Sequence, residues 1–261
     1  MSSHTDDAVS GLRHLVEIDS TNAEALRLSA RGERGPLWIL ADRQTAARGR
    51  SGRAWTTSDG NLAASYLFEP QCKPDVLHQL ALLTGVAVHA GIANAVVKPI
   101  EGLRLKWPND ILIGHAKAGG ILVETTIVEG RISAVIGIGL NIGHAPDIEG
   151  RDIAQLDATA PDLNRDLLFG TVRTQLGHWL SVWQNGAGFA AVREAWLVRA
   201  GMIGEGLAVN AGHQRIEGAF QGIDSTGALL LRDADGIERR LTYGDVSLTT
   251  TTGVGPERTM V

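Results

Sequence analysis

Cysteine is almost absent. Cys72 stands alone among 261 residues, which excludes a disulfide framework and a thiolate zinc cluster, and a lone thiol is more often inert than reactive. A surplus of positive charge is missing too. The 24 Lys and Arg are outnumbered by 29 Asp and Glu, giving a formal net charge of −5 and a pI near 5.9. Nucleic acid and membrane surfaces select for a broad basic face, so neither is expected as a partner. No uncharged apolar run of about 18 residues occurs, and the opening Met-Ser-Ser-His-Thr-Asp-Asp has neither a basic leader nor an apolar segment. The chain therefore reads as cytoplasmic, without export signal or membrane span. His78 and His89 lack a second ligand at metal-binding spacing and read as core or surface residues.

What is present is a globular composition with one local exception. Apolar residues make up 44% and the mean hydropathy is +0.01. A chain of this length can bury roughly 70–75% of its unfolded surface, as one large domain or a large and a small one. The exception is residues 41 to 55, where Arg43, Arg48, Arg50 and Arg53 stand against a single acid, Asp42. Gly49 and Gly52 allow positive φ and close approach to a ligand, and guanidinium forks match carboxylate or phosphate oxygens. Such a loop is an anion cradle or a solvated basic loop, and its composition alone does not decide.

Hydrophobic periodicity places this loop in a fold. Residues 12 to 18 read as a strand leading to Asp19-Ser20-Thr21-Asn22, and Thr21 with Glu24 forms a capping box for a helix that stops at Gly32. Leu37 to Ala41 is a strand, so the arginine loop leaves from a strand end, and Leu62 to Phe68 is the returning strand. From Pro74 to about Val97, apolar residues at helical spacing and around the circumference predict a mostly buried helix. Leu103 to Lys106 alternates as a strand that Trp107-Pro108-Asn109-Asp110 must break, leaving Lys106 at its end. Ile111 to Ile113, Ile121 to Ile127 and Ile132 to Ile138 follow as strands, the last two joined at Glu129-Gly130. Close turns between consecutive strands imply an α+β fold with helices packed on a mixed or antiparallel sheet.

His144 to Asp162 reads as a loop, Asn164 as the N-cap of a helix stopping at Asn185-Gly186, and Phe189 to Arg199 as another helix. Trp179, Trp183 and Trp196 read as packing anchors. Beyond Gly201, short strands at 207 to 210, 214 to 222, 228 to 232 and 238 to 242, with a hairpin signal at Asp235-Gly236, predict a small β-barrel. The expected organisation is a main domain over 1–200, a small barrel over 201–250 and a disordered tail over 251–261.

Three stretches break the tie over the loop: Lys106-Trp107-Pro108-Asn109-Asp110, the run Lys117-Ala118-Gly119-Gly120 continuing to Glu124, and Gly137-Ile138-Gly139-Leu140-Asn141. Together with Asp19-Ser20-Thr21-Asn22, the loop and Asn61-Leu62, they follow in order across most of residues 19 to 141. In these motifs the sequence resembles the bacterial biotin protein ligases. The resemblance implies a ligase catalytic domain followed by an SH3-like barrel. It also implies a two-step reaction on ATP and biotin with Mg2+: biotinyl-5′-AMP forms, and biotin then passes to a lysine of a biotin carboxyl carrier protein or carrier domain of a biotin-dependent carboxylase.

Both reactants of the first step are anions, so cations must lie between them. By motif position Lys106 would sit between the biotin carboxylate and the α-phosphate, with Arg50 at the same end and Arg48 and Arg53 on phosphate; Lys106, Arg50 and Arg48 form the expected catalytic group. Ser20, Thr21, Asn22 and Gln44 would serve the ureido edge of biotin, one of Ser20 and Thr21 capping the helix instead. Gly119, Gly137 and Gly139 would let the ring system lie on backbone. Trp55, Asn109, Lys117 and Asn141 would join the arginines and Lys106 around the nucleotide, and Asn109 and Asp110 would orient the lysine or help hold magnesium, with Asp110 the candidate ligand. A plain turn is the alternative for Asn109 and Asp110. Water destroys a mixed anhydride, so residues 43 to 58 are expected to be mobile without ligand and to close with it.

The sequence departs from the family at Ala47, where glycine is usual, at Ser51, where a basic residue is frequent, and at Ala118, where a larger aliphatic residue is usual. Only 18 residues precede Asp19, too few for the winged-helix DNA-binding domain of some relatives, so a monofunctional enzyme without a repressor role is expected. Two rivals remain: a lipoate or octanoate ligase, whose arginine-arginine then glycine-glycine run is not found, and a non-catalytic biotin-binding module, against which Lys106 and the arginine loop speak. A homodimer paired through sheet edges is compatible with the resemblance.

Overall fold

The computed structural model describes residues 11–56, 58–146, 149–150, 152–212 and 214–249. The expected disordered tail lies outside them. Seven strands form the main sheet: β1 (Gly11–Ile18), β2 (Leu37–Gln44), β3 (Leu62–Phe68), β4 (Leu103–Lys106), β5 (Asp110–Ile113), β6 (Ala116–Val128) and β7 (Arg131–Leu140). Their order is β1-β2-β3-β7-β6-β5-β4. Only β1 and β2 run parallel, because the helix α1 (Thr21–Ala30) crosses between them; every other neighbouring pair is antiparallel.

Strand alternation divides the sheet into two faces. Leu37 and Ile39 of β2 pack with Ala25 and Leu28 of α1. Trp38 and Leu40 point the other way, into the large core that includes Leu80, Leu83, Val86 and Ile92 of α2 (Gln79–Ala95). That helix is buried over most of its circumference, as its all-round apolar pattern requires, but it begins five residues later than expected because Pro74–Val76 forms a separate 3-10 turn. Helices α3 (Arg165–Trp183) and α4 (Phe189–Arg199) complete this layer. Asn164 caps α3 by accepting from Leu167 N at 2.9 Å. Gly91 lets α2 and α3 meet closely: a Cβ there would lie 2.7 Å from Val172 Cγ2 and 2.9 Å from its Cα. Trp183 and Trp196 are buried anchors, the former donating its indole N–H to Gln79 Oε1 at 2.7 Å.

A second, antiparallel sheet follows, of β8 (Gly206–Ala211), β9 (Gln214–Ile223), β10 (Leu229–Arg232), β11 (Glu238–Leu241) and β12 (Asp245–Leu248), ordered β11-β10-β9-β8-β12. Here the expectation of a closed barrel is corrected. β11 and β12 are the two edges and do not pair, and β12, a strand not expected from the sequence, turns toward the main sheet. Leu207, Val209, Phe220, Ile223, Leu229 and Leu231 belong to the same apolar core as α2. Trp107 Nε1 donates to Gly227 O at 3.0 Å, tying the end of β4 to the β9–β10 turn. No helix among the described residues is long and apolar enough to cross a membrane.

Candidate active site

A cavity of about 1320 Å³ opens between the arginine loop, the site ends of β5–β7 and the edge of the second sheet. That is more than the roughly 300–1000 Å³ of a pocket for one small ligand. Gly137 and Gly139 line its floor, where the missing side chains make room for Asn22 and Trp55. A Cβ at Gly137 would lie 2.3 Å from Asn22 Oδ1, and one at Gly139 would lie 2.8 Å from the Trp55 indole.

Gly119, expected beside these glycines, does not reach the cavity. Its Cβ direction meets Leu140 Cδ2 at 2.4 Å and Gly139 O at 2.8 Å, so it serves strand packing, whereas Gly120 faces Lys117 and Trp55. The cause is a bulge. Ile111 pairs with Gly119 and the adjacent Leu112 with Lys117, leaving Ala118 as the extra residue. That extra residue brings Lys117 and Gly120, three apart, to one face while Ala118 is buried in the core.

At one end of the cavity stands a tight polar network. Ser20 is the N-cap of α1, accepting from Ala23 N at 3.4 Å, which frees Thr21 for the site. Gln44 Oε1 accepts from Thr21 N at 2.8 Å and Thr21 Oγ1 at 3.0 Å. The fully buried Ser65 hydroxyl bridges Thr21 Oγ1 at 2.7 Å and Asn22 Oδ1 at 2.6 Å, and Asn22 Nδ2 donates to Glu124 Oε2 at 2.8 Å. Ser65 carries no expectation from the sequence, and Glu124 enters there only as the last residue of the second lysine motif. Serine inside the apolar run of β3 gave no signal beyond its polarity, and only the register with β7, Ser65 opposite Gly137, brings it to the site.

The cationic half is built around Asp110. Its Oδ2 lies 2.9 Å from Lys106 Nζ and its Oδ1 accepts from Lys117 Nζ at 2.5 Å. Burial would raise its pKa, but the two ammonium groups outweigh burial and hold the carboxyl below its usual range. With both oxygens spent on lysines, Asp110 does not fit the role of a magnesium ligand. No group of three or more His, Cys, Asp or Glu among the described residues could hold a metal ion. Lys117 also sits 5.6 Å from the Trp55 ring centroid, a cation–π contact.

Asn109 positions Arg50, accepting from its Nη1 at 3.2 Å while its own Nδ2 donates to Ile121 O at 2.6 Å. Arg53 reaches Asp245 Oδ1 at 2.6 Å. Arg48 lines the cavity, its backbone bridged to Ala54. Ala47 is accommodated without positive φ; the loop's left-handed residues are Ser51 (φ 56°) and Gly52 (φ 71°). Asn141, only 2% exposed, donates to Lys117 O and Ala154 O, while its cavity-lining side chain keeps a buried Oδ1 with no partner.

A glycine-lined floor, a hydrogen-bonding end and a cationic end suit the ligases that activate a carboxylate with a nucleotide. Residues 16–141 match the Biotin/lipoate A/B protein ligase family, and residues 202–249 match the biotin protein ligase C terminal domain. A biotin-(acetyl-CoA-carboxylase) ligase from Paracoccus denitrificans is 36% identical over 85% of this chain and 94% of its own. Its counterpart from Mycobacterium tuberculosis is 32% identical over 92% and 90%. The solved biotin protein ligase from Aquifex aeolicus in complex with biotin and ATP superposes with a TM-score of 0.77 at 26% identity, covering 92% of this chain and 98% of that one. The chain belongs to the biotin protein ligase family.

Proposed function

We propose that the protein joins biotin to ATP as biotinyl-5′-AMP and then transfers biotin to a lysine of a carboxylase carrier domain. In the first step a biotin carboxylate oxygen bonds to the α-phosphorus, the α–β phosphoanhydride bond breaks and pyrophosphate leaves. In the second, a neutral lysine amine attacks the acyl carbon, the acyl–phosphate bond breaks, AMP leaves and the amide nitrogen loses a proton. The observation that carries this reading is the convergence of Lys106 and Lys117 on Asp110 beside Arg50, over the Gly120–Gly137–Gly139 floor. Two anionic reactants need that charge fixed in advance.

In this reading Thr21, Gln44, Ser65 and Asn22 hold the ureido edge, and Lys106 and Lys117 share the fixed-charge role expected from motif position of Lys106 alone. Arg48, Arg50 and Arg53 take phosphate oxygens, and Trp55 and Asn141 take the nucleotide. The names of the relatives point to acetyl-CoA carboxylase as the source of the carrier. The test is to incubate the protein with magnesium, ATP and separately biotin, lipoate or octanoate, and to assay acyl-adenylate and pyrophosphate by mass spectrometry. Adenylate from biotin alone is expected; adenylate from lipoate or octanoate instead, or from none, would overturn the reading.

A further inference from the structure

Three consecutive residues of the second sheet occupy the cations of the site. Asp245 Oδ1 accepts from Arg53 Nη2 at 2.6 Å and lies 4.0 Å from Arg50 Nη1. The Gly244 carbonyl accepts from Arg50 Nη2 at 3.1 Å, and the Val246 carbonyl from Lys106 Nζ at 2.7 Å. These acceptors start the edge strand β12, whose inner side pairs only with β8, so its other side faces the arginine loop. A carboxylate and two carbonyls therefore stand where, on the ligase reading above, anionic oxygens of the substrates must go.

We propose that residues 244–246 are a displaceable latch. Asp245 holds Arg53 and Arg50 before nucleotide binds, and ATP enters by exchanging its phosphate oxygens for that carboxylate. The latch must be weak enough to open, and its chemistry fits. The Arg53 and Asp245 side chains are 44% and 39% exposed, and exposed pairs contribute little and are screened by salt. A polyphosphate brings several charges against one. Between turnovers the latch keeps the guanidinium groups clustered against their mutual repulsion.

The inference rests on the ligase reading and is tested on the full chain with Asp245→Asn and Asp245→Glu. Affinity for a non-hydrolysable ATP analogue would be measured by calorimetry at low and high salt, alongside hydrogen exchange of residues 244–249 with and without the analogue. Asp245→Asn should bind the analogue about three- to tenfold more tightly than the wild type at low salt, with the gain shrinking as salt rises. Asp245→Glu should stay near wild type. Exchange at 244–249 in the wild type should rise on binding. Unchanged or weaker binding by Asp245→Asn, or lower exchange at 244–249 with the analogue, would overturn the latch. Absence of biotin-dependent pyrophosphate release from the wild type would sink the ligase reading by itself, while the affinity comparison still decides the latch.

Discussion

At the site end of β7 the two faces do opposite work. Ile136, Ile138 and Leu140 enter the large core, while Gly137 and Gly139, interleaved with them, line the cavity and receive Asn22 and the Trp55 indole. One face gains stability from every methyl group it buries; the other loses function to any methyl group added. Alternation along a strand thus lets successive residues answer to stability and to chemistry independently.

The sharpest way to break this comparison is a substitution that acts through the wrong face. Ile136→Ala removes fully buried side-chain volume and should cost about 2–5 kcal/mol in denaturant unfolding, with KM for biotin unchanged; a shifted KM would show the faces to be coupled. Lys117→Ala on the open face should do the converse. Adenylate formation should fall about 10²- to 10³-fold with little change in Tm, and a full-rate variant would remove Lys117 from the fixed-charge pair. Ser20→Ala sits on the helix that covers the open face and deletes a cap, so a loss of about 1 kcal/mol is expected by thermal melting. No loss would mean that the 3.4 Å contact caps nothing.

The smallest effect is Asp19→Asn. The hydrogen bonds and charge of Arg27 hold the Asp19 carboxyl down at about 2. A carboxyl with a depressed folded-state pKa stabilises above its unfolded value and loses that contribution as pH falls through the folded one. The variant should therefore be less stable than wild type by under about 1 kcal/mol at neutral pH, since the pair is solvent-screened. The difference should shrink from about pH 4 and vanish below about pH 2; a gap undiminished at about pH 2 would assign it to another cause.

Local features were legible in the sequence because local chemistry writes them. Glu129-Gly130 is a turn with both residues at positive φ, 50° and 77°. Asn164 caps its helix, and the arginine loop leaves a strand end beside Lys106. What escaped depends on strand register and on packing between elements. Strict alternation would send Lys117 and Gly120 to opposite faces, and only the bulge at Ala118 reunites them. For Asp110 the sequence left open a lysine or a metal as its partner, and the fold decides it by bringing two ammonium groups to the carboxylate. Four residues of β12 were too short a run to stand out, and their position depends on β8 and on cations nearly two hundred residues earlier.

The Trp107–Gly227 hydrogen bond bears on how far the molecule can be taken apart. Gly227 has φ 98°, and a Cβ there would lie 2.8 Å from Leu82 Cδ1 and 3.1 Å from Phe189 Cζ. The β9–β10 turn is thus fitted to α2, to α4 and to the indole of the lysine motif at once. A chimaera that borrowed its second sheet from a relative would have to bring a matching turn, or leave an indole N–H stranded in apolar surroundings. The two sheets are interchangeable parts only in outline; in detail they are a single casting.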